Sequence, residues 1–177
     1  EKELLKISQV TGKSTKELRE LTGEVTRLSR AFGASSSELL NAARTLSQAG
    51  FAAEKATKAL NILAQTDLGS TFNNISDTTE GAIAMLRQFR REAQEAGGDI
   101  AFLQKSLDSI NSVSKAFAVE SADLITVIRR TGGVFEAAGG KLNELVALFT
   151  SVRSTTRESA ETIAVGFRTI FTRIQRT

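Results

Sequence analysis

Thr155-Thr156-Arg157-Glu158-Ser159-Ala160-Glu161-Thr162-Ile163-Ala164-Val165-Gly166-Phe167-Arg168-Thr169-Ile170-Phe171-Thr172-Arg173-Ile174-Gln175 is the stretch from which the fold class is read. Ile163, Phe167, Ile170, Phe171 and Ile174 recur at helical steps and share one stripe, while Arg157, Glu161, Arg168, Arg173 and Arg176 fall largely on the other faces. The stretch predicts an amphipathic helix over 157–176. Its stripe is a candidate interface, because a helix this rich in bulky apolar residues needs its own core or a second chain to cover it.

Working back from that helix, the same signals recur. Ser14-x-x-Glu17, Ser35-x-x-Glu38 and Asp77-x-x-Glu80 each set a capping side chain three residues before a carboxylate, a helix-start pattern. Gly12, Gly33, Gly50 and the pairs Gly97-Gly98, Gly132-Gly133 and Gly139-Gly140 follow apolar-periodic runs and read as helix stops. Helices are predicted over 2–11, 15–31, 36–49, 53–66, 78–95, 100–115, 121–131, 141–152 and 157–176, with a loop over 66–76. β-Branched residues fall at helical spacing and not in alternation, so the predicted class is all-α: a multi-helix bundle of short helices punctuated by glycine. The chain contains no proline, which leaves its helix junctions without a fixed φ. Gly97, Gly98, Gly132, Gly133, Gly139 and Gly140 are therefore candidate hinges.

The expected organisation is an N-terminal helical arm over 1–31 followed by a core helical domain over 32–177. Laying 32–65 on 117–150 at one fixed shift gives eight identities: Phe32/Phe117, Ser36/Ser121, Leu39/Leu124, Arg44/Arg129, Ala52/Ala137, Ala53/Ala138, Leu60/Leu145 and Leu63/Leu148. That pattern raises an internal duplication of 32–96 and 117–177, with two similar halves.

Composition narrows the chemistry. The 177 residues suffice for one ordinary domain. Without His or Cys, no His-based triad, thiolate nucleophile or common structural zinc site can be built, and no disulfide supports the fold. No catalytic, cofactor-binding or metal-binding residue is proposed. The net charge of +3 is concentrated at the end: 151–177 carries five Arg against two Glu, and the remainder is balanced. Arginines spread around a helix read as a solvated face, and a balanced bulk charge offers little counterion release, so no nucleic-acid module is expected. The densest apolar run, Leu145 to Phe149, is far too short to span a membrane. The opening Glu1-Lys2-Glu3, with neither Met nor a leader, predicts a piece of a longer protein.

Other groupings have plainer readings. Glu92 and Glu95 share a helical face beside Arg90 and Arg91, a salt-bridged surface and not an acid–base pair. Neither of the last two glycine pairs follows a strand or precedes a Gly-Lys-Ser/Thr run, so neither is a phosphate cradle. The cluster Thr150-Ser151 and Ser154-Thr155-Thr156 reads as local backbone capping in preference to a polar channel surface.

The quoted stretch, with its threonine-arginine-glutamate-serine entry and Phe-Arg-Thr-Ile-Phe-Thr-Arg-Ile run, resembles the core region of bacteriophage tail tape measure proteins. Three further segments resemble that family in the same order: Phe32-Gly33-Ala34-Ser35 into Leu46–Phe51; Ala84–Phe89; and Phe117–Ile128 with Arg129–Gly133 and Ala138–Gly140. The resemblance spans roughly residues 30 to 177 and implies a structural, non-enzymatic virion protein, made in the host cytoplasm and placed in the tail lumen or tip. It implies a ruler that sets tail length, scaffolds the tail tube and leaves during genome ejection. The implied partners are further copies of the chain, a trimer in preference to a hexamer, and the tail tube and tail tip or baseplate proteins. The competing class is a cellular helical protein–protein interaction module.

Overall fold

The computed structural model describes residues 8, 15–68 and 74–175. Among them the chain forms nine α-helices and no strand: α1 Thr15–Phe32, α2 Ser36–Gln48, α3 Ala53–Leu68, α4 Ile75–Gln88, α5 Arg90–Glu95, α6 Asp99–Ala116, α7 Ser121–Ala137, α8 Leu142–Thr156 and α9 Ala160–Ile174. The all-α class follows directly from the 3.6-residue apolar period. The helix expected over 2–11, the cap at Ser14, and Phe72 of the expected loop lie outside the described residues.

The chain divides into two compact units, and the division falls inside α4 between Glu80 and Gly81. In the first unit, α1, α2 and α3 pack against one another. Leu21, Val25 and Leu28 of α1 join Leu39, Ala42, Ala43 and Leu46 of α2 and Ala56, Leu60, Leu63 and Ala64 of α3 as its buried residues. Small residues at the contacts let helices come close, and the leucines fill the space between them. On the surface, Arg27 hydrogen-bonds Glu24 at 2.6 and 2.9 Å and holds its carboxyl below the usual carboxylate range, against a smaller opposing effect of burial.

In the second unit α7 is the central element. It is contacted by α6, α8 and α9, and α6 in turn meets α5 and α8. Leu103, Leu107, Ile110, Leu145 and Phe149 are fully buried there. Each helix-rich segment stays inside because the apolar residues of one stripe meet those of another, and burial contributes roughly 1.5–3 kcal/mol per large side chain.

The structure departs from the sequence expectations at three junctions. The helix expected over 78–95 breaks at Phe89, whose φ and ψ of −108° and 48° separate α4 from α5. Phe89 is fully buried, and tertiary packing of its ring overrides the local preference to continue. The start assigned to Asp77 belongs to Asn74: Asn74 Oδ1 accepts from the Asp77 amide at 2.8 Å, and its Nδ2 donates to Asp77 Oδ2 at 2.8 Å. Asp77 is thus the acidic residue of the first turn, inside the cap. Third, Gly132-Gly133 does not stop a helix; α7 runs through both to Ala137. Glycine is there for space, since a Cβ on Gly132 would stand 2.2 Å from Gln88 Oε1 and 2.8 Å from Phe89 Cε2.

Candidate assembly interface

α9 is cut off at both ends by defined local chemistry. α8 terminates at Arg157, the one non-glycine residue with positive φ (59°) among the described residues. Arg153 holds this corner, donating through Nη1 to Arg157 O at 2.7 Å and Glu158 O at 2.6 Å while its Nη2 lies 3.3 Å from Asp123 Oδ2 at the start of α7. Ser159 then caps α9, its Oγ accepting from the Thr162 amide at 3.2 Å. The helix therefore begins at Ala160, three residues later than its apolar period alone suggests.

The stripe expected on this helix divides. Ile163, Phe167 and Phe171 are buried at 5–8% exposure, joined by Ala160 and Ala164. They dock on α7, where the rings of Phe135 and Phe171 lie 4.7 Å apart at 52°, and Phe171 and Phe167 5.6 Å apart. Tilted ring pairs at such distances add about 0.5–1.5 kcal/mol to the area they bury. Gln175 Nε2 donates to Val134 O at 2.8 Å and ties the far end of α9 to the same helix. Ile170 and Ile174, by contrast, are 52% and 58% exposed, and Val165 on another face is 61% exposed. Three of the five large apolar residues exposed among the described residues thus belong to α9, with Phe117 and Leu148 as the others. Arg168, Thr169, Thr172 and Arg173 surround Val165 on the outer surface.

The six candidate hinge glycines take different roles. Gly97, Gly98 and Gly139 have φ of 92°, 110° and 90°, conformations that L side chains rarely adopt, and they turn the chain after α5 and α7. Gly132 lies buried inside α7 against Gln88 and Phe89, with Gly133 beside it at the surface. Gly140 lies under the Phe135 ring, where a Cβ would come within 2.4 Å of its carbons.

A groove of about 370 Å³ runs between α5, α6 and the start of α8, lined by Glu92, Glu95, Lys105, Lys141 and Glu144 over a Phe102 floor. Glu92, read from sequence as a surface ion-pair residue, accepts from the Leu142 amide at 2.8 Å and so satisfies an orphan donor at the α8 N-terminus. Glu144 does the same for the Lys141 amide at 2.8 Å. Arg91 pairs with Glu136 across a loose 3.6 Å contact. These contacts make the groove a structural joint between helices, with two of its carboxylates bound to backbone amides. Sequence reading missed this role because a contact between Glu92 and Leu142, fifty residues apart, leaves no local pattern.

Among the described residues no group of three or more His, Cys, Asp or Glu side chains is placed to hold a metal ion. No helix among them is long and apolar enough to cross a membrane. What the surface offers is an apolar helix face flanked by arginine, the chemistry of a contact between proteins. No solved structure matches the chain. A family model described as phage-related minor tail protein matches residues 4–177, nearly the whole length, and the chain therefore belongs to the phage-related minor tail protein family.

Proposed function

We propose that this phage tail component is a segment of a tail tape measure protein, which sets tail length, scaffolds polymerisation of the tail tube and leaves during DNA ejection. The observation that carries the reading is the family match running unbroken through residues 4–177 of a helical chain. A helix gains about 1.5 Å per residue, so a helical protein converts residue count into length. The glycine-punctuated units are a folded segment of the ruler, not its uniform rod. Copies of the chain, in threes, and the tail tube and tip proteins are the partners, with the exposed part of the stripe, Ile170 and Ile174, as a contact surface.

The ruler is tested by in-frame deletion of helical sequence from the protein that carries this chain, with tail length measured by electron microscopy. Loss of about 60 helical residues should shorten tails by about 90 Å; tails of unchanged length would refute the ruler while leaving tail membership intact. Light scattering of the chain with purified tail tube protein tests the partners. A stable complex is expected, and no complex at any ratio would remove the tube protein from the reading.

A further inference from the structure

The offset that lays 32–65 on 117–150 matches far more of the chain than that segment. α2 and α7 begin at Ser36 and Ser121, and α4 and α9 at Ile75 and Ala160, each pair separated by that offset. α1, α2 and α3 contact one another pairwise, and so do their counterparts α6, α7 and α8. The buried positions coincide: Leu39, Ala42, Ala43 and Leu46 of α2 answer to Leu124, Val127, Ile128 and Thr131 of α7, and Ile75, Thr78, Thr79, Ala82 and Leu86 of α4 answer to the five buried residues of α9. Individual bonds coincide as well. Ser29 Oγ donates to Ala34 O at 2.7 Å and Ser114 Oγ to Val119 O at 2.7 Å, while Asn74 and Ser159 cap α4 and α9 by accepting from Asp77 N and Thr162 N. Helix propensity alone would repeat helices, but not the same bond across the same loop. α8 starts later than its counterpart α3, yet Leu60 and Ala64 again answer to Leu145 and Phe149, all four buried.

Beyond this shared plan, α7 buries residues that α2 does not. Ile125 and Gly132 are buried, whereas Leu40 and Ser47, in the same places on α2, are half-buried. The C-terminal half of α4 accounts for the difference. A Cβ on Gly81 would lie 2.5 Å from Ile125 Cγ2, one on Gly132 would lie 2.8 Å from Phe89 Cε2, and Gln88 Nε2 donates to Arg129 O at 3.1 Å. Met85 and Phe89 are fully buried on the same half of α4. A glycine on each helix lets the two come this close. The contact also explains why the division between compact units falls inside a helix: α4 starts in the first unit, and its C-terminal half is seated on α7 in the second.

We propose that the chain is a tandem of two copies of one four-helix motif, α1–α4 and α6–α9, and that the C-terminal half of α4 on α7 is the joint by which one motif is built onto the next. The partner at that joint is a motif of the same kind in the same chain. The last helix of a motif then has two faces: one buried in both copies, and a second, at Gly81, Met85 and Phe89, that serves the motif following it. α1 belongs on this reading to the core of the first motif and is not an arm. A chain built this way can lengthen by whole motifs without a new kind of contact, its stability accumulating from motifs and from the joints between neighbours. The inference stands on the internal equivalence and is independent of the tape measure reading.

The test adds a motif in register and asks whether the joint forms again. The chain has no cysteine, so a single introduced thiol reports on one place. Met85→Cys lies at the existing joint and should be closed to a maleimide, whereas Ile170→Cys, its equivalent on α9, is exposed and should label in dilute solution like a free thiol. In a lengthened chain that carries residues 89–173 a second time after Arg173, the added copy of α7 should cover the cysteine at the first position 170. Labelling there should slow by more than about 100-fold. A copy that starts instead at residue 92, out of register, should leave the thiol as reactive as in the original chain. Equal reactivity with both insertions, or an in-register insertion that adds no helix by circular dichroism, would overturn the proposal. The unmodified chain provides a second measurement, hydrogen exchange in rising urea: the amides of Leu86 to Phe89 should open together with α7, and opening with α1, α2 and α3 instead would remove the joint.

Discussion

Gly81→Ala and Gly166→Ala are chemically the same change, at positions equated by the internal offset and both within the second unit. Replacing a helix-interior glycine by alanine stabilises by roughly 0.8–1 kcal/mol through backbone entropy, and that gain is common to both. The surroundings differ. A Cβ on Gly81 would meet Ile125 Cγ2 at 2.5 Å and Cδ1 at 2.9 Å, distances that require a shift. Ile125 is buried and β-branched, with little χ1 freedom, so relief must come from moving α4 against α7, at a cost of about 1–3 kcal/mol. Gly166 meets nothing within 4 Å. Gly166→Ala should therefore raise stability by about 1 kcal/mol. Gly81→Ala should be neutral or destabilising by up to about 2 kcal/mol, leaving roughly 1–3 kcal/mol between the variants. Urea unfolding followed by helical circular dichroism, at a concentration low enough to suppress association, reads the difference as a separation of midpoints at constant slope. A Gly81→Ala protein as stable as Gly166→Ala would refute the packing argument.

Phe149→Ala, which empties a fully buried site in α8, should cost about 3–5 kcal/mol of second-unit stability; a loss under about 1 kcal/mol by the same urea assay would show that the site collapses freely. Asn74→Ala and Ser159→Ala should each cost about 1 kcal/mol through loss of a helix cap; hydrogen exchange should rise first in the opening turns of α4 and α9, and unchanged exchange there would contradict the cap assignment. Because the Arg27 hydrogen bond lowers the Glu24 pKa, that pair's stabilisation is full above the ordinary carboxylate pKa and disappears as pH falls through the lowered folded value. The contribution is small, as both groups are near solvent and screened by salt. Thermal midpoints of the unmodified chain and Glu24→Gln should differ slightly at neutral pH and converge in acid; divergence in acid would reverse the assignment.

The apolar period made the helices legible because it is a property of each segment alone. Leu39, Ala42, Ala43 and Leu46 recur at helical spacing whatever they later meet. What the period does not contain is the neighbour. Gly132 reads as a stop until Phe89 and Gln88 occupy the space its side chain would need. The break at Phe89 is likewise set by burial of its own ring and leaves no mark in the surrounding Arg and Glu residues. The α9 stripe carried two destinations in one pattern: Phe171 meets Phe135 and Phe167, while Ile170 lies about 100° around the helix from Phe171 and reaches water. Sequence spacing gives the angular position of a residue, and the width of the covering helix decides which of them it shields.

The many hydroxyls of these helices have a consequence for how such a protein can change its surroundings. Thr79, Thr131 and Thr150 are buried, and each returns its hydroxyl to the carbonyl one turn back, at 2.6–2.8 Å. Ser154, Thr155 and Thr156 do the same in the open. A side chain that brings its hydrogen-bond partner along on its own helix is indifferent to whether water or another helix lies against it. A face built this way can pass from wet to dry and back without stranding a polar atom, so helix surfaces here can be covered or uncovered at little desolvation cost.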